Sequence, residues 1–73
     1  MNPYFSMLIQ WSGEDQAYLV SLPDFGPYCQ THGDSYGEAV KNGEEVLRML
    51  IESAREKGEA LPEAKVYRPV HAA

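Results

Sequence analysis

The sequence predicts an α+β domain of order βββαβ, an antiparallel sheet with one long helix packed on it. Three observations predict it. Apolar residues alternate at period two through the first part of the chain, interrupted by Gly, Pro and Asp turn clusters. After Ser35 they recur instead at three- and four-residue steps as far as Ala54. A length of 73 residues fits one domain, residues 1–73, and no second.

Residues 4–11 read as the first strand. Phe5, Met7, Ile9 and Trp11 share the stronger apolar face, which should meet the core. Residues 12–15, Ser-Gly-Glu-Asp, form a turn in which Gly13 is expected to supply a positive φ. Residues 17–22 follow as the second strand, and the short connection makes an antiparallel hairpin the natural pairing. Pro23 lacks an amide donor and ends that strand. A rigid Pro/Gly loop over residues 24–28 leads to a short third strand, residues 29–32. Gly33 precedes a sharp reversal and is expected to adopt a backbone conformation that other residues avoid.

Ser35-Tyr36-Gly37-Glu38 has the spacing of a capping box, so the helix starts there. Tyr36, Ala39, Val40, Gly43, Val46, Leu47, Leu50, Ile51 and Ala54 form its apolar stripe, expected to be core. Lys57 suits the helix C-terminus and Gly58 the residue beyond it. Residues 65–68, Lys-Val-Tyr-Arg, are expected to add a short fourth strand at the sheet edge. One helix covers one sheet face only, leaving Tyr4, Leu8 and Tyr18 for the bare face or its edge.

So short a chain is marginally stable as a monomer unless a disulfide, a metal or self-association supports it. The single cysteine, Cys29, excludes an intrachain disulfide, so a homo-oligomer, a dimer or higher, is expected. One unpaired thiol, no apolar run long enough to span a membrane and no secretory n-region and h-region point to the cytoplasm. Eleven acids against six bases give a net charge of −5, and the bases form no run. That balance argues against direct nucleic-acid binding and suits a basic protein partner.

No residue set reads as catalytic, cofactor-binding or metal-binding. Cys29 and His32 are three apart in a strand, so period two puts them on opposite faces. Zinc requires three or four convergent ligands. Asp24, Asp34 and Glu38 invite comparison with a metal-dependent nuclease, yet turn and capping roles account for them. Tyr18, Phe25, Tyr28 and Tyr36 resemble a base-stacking platform that lacks its positive groove. The candidate partner-interface residues are Asp24, Phe25, Pro27 and Tyr28 in the loop, with Glu45 and Glu52 on the polar helix face.

Three segments then carry a resemblance. Pro23-Asp24-Phe25-Gly26-Pro27-Tyr28, Thr31-His32-Gly33-Asp34-Ser35 and Glu38-Ala39 with Asn42 occur in an order similar to that of the HicB-like antitoxin domain family. Glu59-Ala60-Leu61-Pro62-Glu63 resembles the family's segment after the helix. The loop departs from the usual pattern in having Gly26-Pro27-Tyr28 where many members carry Pro-Gly, and Gly37 stands where Glu is common. The resemblance implies a partial ribonuclease H-like fold without nuclease activity. It also implies a partner, a small basic HicA-type toxin that cleaves mRNA and is blocked by contact. Many HicB antitoxins continue into a DNA-binding domain, so a chain ending at Ala73 is expected to be a stand-alone form. The alternative is an orphan oligomer with a regulatory or structural role and no toxin. A weak nuclease using Asp24 and Asp34 is a third.

Overall fold

A computed structural model describes residues 4–70. Three strands, β1 (Leu8–Ser12), β2 (Ala17–Ser21) and β3 (Cys29–Gly33), form an antiparallel sheet in the order β1-β2-β3. One helix, α1 (Tyr36–Lys57), packs on one face of it. This is the expected α+β arrangement up to the end of the helix. The expected fourth strand is absent: residues 59–70 carry no regular structure. The order among the described residues is therefore βββα.

The β1–β2 hairpin pairs Ile9 with Val20 and Trp11 with Tyr18. Val20 and Tyr18 point toward the helix, so Ile9 and Trp11 do too, as the alternation predicts. Tyr18 is not on the bare face: its ring lies 4.4 Å from that of Tyr36 on α1. Leu8, Gln10 and Leu19 occupy the outer face instead, following the register. In the turn, Gln16 rather than Gly13 adopts a positive φ, 52°. The Gln16 side-chain amide donates to the Gly13 carbonyl, and Ser12 Oγ accepts from the Asp15 amide at 3.2 Å.

Helix α1 begins where Ser35 was expected to cap it. Ser35 Oγ accepts from the Glu38 amide at 3.1 Å, while Glu38 Oε1 accepts from the Asp34 amide at 2.9 Å. The reciprocal bond thus lands one residue before the cap. At the far end Gly58 is left-handed, φ 69°, and the Glu59 amide closes on the Ala54 carbonyl at 2.8 Å. The core is small: among the described residues Ala17, Val20, Leu22, Ala39 and Ile51 are the buried apolar side chains. Ala39, Gly43 and Ile51 are the buried part of the helix stripe, whereas Val46, Leu47 and Leu50 are half-buried and Tyr36 and Val40 exposed. The stripe is core along its centre line and surface along its flanks.

Helix α1 sits close to β3 because Gly33 lets it. Gly33 does not take a positive φ, contrary to expectation. A Cβ there would lie 2.4 Å from the Ala39 amide nitrogen and 2.7 Å from its Cα. The position requires glycine for close approach to the helix, not for an unusual turn. One helical turn after Ala39, Gly43 leaves room for the side chains of Met7 and Val20.

Candidate functional site

The loop between β2 and β3 is built around a buried carboxylate. Leu22 is fully buried and anchors its start, and Pro23–Phe25 makes a single 3-10 turn closed by the Phe25 amide donating to the Leu22 carbonyl at 2.8 Å. Asp24 is only 8% exposed. Its Oδ2 accepts from the Ser6 amide and its Oδ1 from the Lys65 amide, both at 2.7 Å. The Ser6 hydroxyl donates to the Lys65 carbonyl at 3.3 Å. One side chain thereby ties together the approach to β1, the loop and the segment after α1. Burying a carboxylate is costly unless its oxygens are hydrogen-bonded, and here each oxygen accepts a backbone amide.

The same clamp accounts for the missing strand. Lys65 spends its amide on Asp24 rather than on a ladder, and Pro69 offers none. Val66, Tyr67 and Val70 stay exposed.

Beyond Asp24 the loop turns outward. Phe25 is half-buried, with its ring 4.9 Å from Phe5 in an edge arrangement. Gly26, φ 125°, reverses the chain, and Pro27 and Tyr28 are exposed, Tyr28 by 77%. Phe25 also lines a groove of about 280 Å³ with Leu50, Ala54 and Pro62, between the loop, the end of α1 and the following segment. Glu45 and Glu52 are exposed and lie seven residues apart on α1, on the side away from the sheet. Five of the six candidate residues thus occupy two surfaces, a loop crest beside a groove and the back of the helix, while Asp24 is buried beneath the first.

Cys29 and His32 differ from expectation. A register shift between Val20 and Ser21 places Cys29 opposite Ser21 and His32 opposite Leu19, both on the outer-face parity. The bulge brings to one face two side chains that simple alternation separates. Cys29 Sγ contacts the Thr31 carbonyl at 3.1 Å, and among the described residues no three His, Cys, Asp or Glu side chains converge on a metal position.

The turn and the helix start are thus held together by the close approach at Gly33 and by the Asn42 amide donating to the His32 carbonyl at 2.7 Å, while Asp24 ties the loop to residues 6 and 65. Residues 5–72 match a family model described as the HicB-like antitoxin of bacterial toxin–antitoxin systems. The chain belongs to this family. No curated protein and no solved structure matches it significantly. Membership in the HicB-like family gives the chain a toxin–antitoxin role and, in general terms, a toxin as partner. Among the described residues no helix is long and apolar enough to cross a membrane.

The Asp24 clamp is the feature that sequence reasoning missed. Its partners are backbone amides 18 and 41 residues away, which leave no side-chain signature. The one available signal was an acid directly after a strand-ending proline, where a fully buried neighbour, Leu22, draws the loop inward.

Proposed function

We propose that this chain neutralises a small, basic, mRNA-cleaving toxin of the HicA type by direct contact, with no catalysis of its own. The observation that carries the reading is the family match across residues 5–72. A net charge of −5 supports it, because an acidic protein is drawn to a basic RNA-binding surface. In this reading Pro27 and Tyr28 are the contact crest, and Phe25 with its groove receives an apolar group of the toxin. Asp24 contributes from inside, by holding the loop in shape. Glu45 and Glu52 act at longer range and speed the approach of a cationic partner. The protein works in the cytoplasm, where its lone thiol stays reduced, and makes no direct contact with nucleic acid.

The test is inhibition of RNA cleavage by a HicA-type toxin, with binding kinetics on folded variants. Truncating Phe25 and Tyr28 together should mainly speed dissociation. Reversing Glu45 and Glu52 should mainly slow association and flatten its salt dependence. Undiminished toxin cleavage at a saturating excess of the wild-type chain would overturn the reading.

Self-association is proposed beside it, and a specific observation favours it. Among the described residues five buried apolar side chains form the core, while Leu8 and Trp11 of one strand are 47% and 54% exposed. A domain this small gains from burying that surface against a copy of itself.

A further inference from the structure

The two edges of the sheet differ in one respect that points to a partner. Along β3 the helix lies close, and Asn42 donates to the His32 carbonyl. Along β1 the helix scarcely reaches, and among the described residues β1 pairs with β2 alone. Edge strands are normally protected by charge, proline or a bulge. Leu8–Ser12 contains no charged residue and no proline, and the irregularity in the sheet lies between β2 and β3.

We infer that two copies of this chain pair antiparallel through β1, with the two-fold axis at Gln10, to form a continuous six-stranded sheet. The inference deepens the self-association reading and is independent of the toxin. Three arguments select a second copy as the occupant. The first is charge. A chain of net charge −5 repels its twin, and residues 1–13 are its longest stretch without Asp, Glu, Lys or Arg. Contact through β1 brings no like charges together at its centre, whereas a basic partner gains nothing there.

The second is register. Gln10 is the middle residue of β1, so pairing about it sets Leu8 against the partner's Ser12 and Ile9 against the partner's Trp11. Ile9 and Trp11 share the helix-side face, and a β-branched residue opposite an aromatic is a favourable cross-strand pair. Within one copy Trp11 already meets Tyr18 at 5.1 Å, and Tyr18 meets Tyr36. The pairing joins two such aromatic rows across the axis.

The third is area. A dimer of standard size takes about 800 Å² from each partner, roughly one seventh of this molecule's 5698 Å². The exposed parts of Trp11, Leu8, Tyr4, Tyr36 and Val40, with the strand backbone, are of that order.

The experiment is sedimentation equilibrium on the whole chain at micromolar concentration, with circular dichroism as the folding control. Wild type should be a dimer. Gln10→Lys alone and Gln10→Glu alone place like charges on the axis and should each raise the dimer Kd by about tenfold or more. An equimolar mixture of the two should dimerise again. A charge-free arm tests the register in a Cys29→Ser background: Gln10→Cys should crosslink on oxidation and Ser12→Cys should not. A folded, monomeric wild type overturns both this inference and self-association. A wild-type dimer that Gln10→Lys leaves intact, a mixture that stays monomeric, or crosslinking at Ser12→Cys but not Gln10→Cys overturns the β1 contact and leaves self-association standing. None of these readouts depends on a toxin.

Discussion

Along the β3 edge, Gly33 lets the α1 backbone approach, and Asn42 reaches over from the helix to satisfy the His32 carbonyl. Along the β1 edge, Trp11 leans on Tyr18 but is still half in solvent, and Leu8 is open on the other face. Both strands contain apolar or uncharged residues only, so composition does not separate them. What separates them is the helix connection. The chain passes from β3 into α1 through the two residues Asp34 and Ser35, so the helix must fold back over the strand it leaves. The side of the sheet nearest the crossover is finished intramolecularly, and the far side is left with an apolar edge.

The largest expected effect lies on the finished side. Gly33→Val puts a branched side chain into the Ala39 backbone, which cannot yield as a flexible side chain would. Overpacking of this kind costs about 3 kcal/mol or more, most of the stability of so small a domain. A urea midpoint equal to that of wild type would show that α1 is not seated on β3. Next come two leucines at different depths. Leu22→Ala, at a fully buried site, should cost about 2–5 kcal/mol. Leu47→Ala, on the half-buried flank of the stripe, should cost about half as much or less. Equal losses would mean that the flank is as enclosed as the centre.

Smaller effects sharpen the contrast. Asp24→Ala removes the acceptor of two amides and should cost about 1–3 kcal/mol. Limited proteolysis after residue 59 should accelerate in this variant while the sheet remains intact. Asn42→Ala removes a single bond to the β3 edge and should cost about 1 kcal/mol. At the other edge, Trp11→Ser removes the half-exposed ring and its edge contact with Tyr18 and should cost the isolated chain about 1 kcal/mol. A heavy loss measured on a monomeric variant would show that Trp11 belongs to the core and not to the open edge.

Most of this fold was legible in the sequence wherever the signal was local. The β2 start at Ala17, the strand end at Pro23 and the Ser35 cap follow from alternation, a missing donor and a four-residue spacing. Alternation predicts a first strand from residue 4, and it starts at Leu8 because the Ser6 amide is taken by Asp24. Gly33 is predicted to take an unusual turn conformation, which it does not adopt. The approach of a helix backbone is a tertiary fact with no trace in neighbouring residues. The bulge opposite Val20 and Ser21 was equally invisible, and it alone undoes the period-two argument for Cys29 and His32. The Pro27–Tyr28 crest was identified as a loop of aromatic and rigid residues, whereas the buried depth of Asp24 came from partners far along the chain.

The shared carboxylate of Asp24 has a dynamic consequence. The Ser6 and Lys65 amides, 59 residues apart, are protected by opposite oxygens of one side chain. Rotation of that side chain about its own bonds releases both at once, without opening the sheet. In native-state deuterium exchange the two amides should therefore open with one common free energy, set apart from the slower amides of β2 that open only when the whole domain unfolds. Chain segments at opposite ends of the described structure would then constitute a single cooperative unit, hinged on a carboxylate rather than on a secondary-structure element.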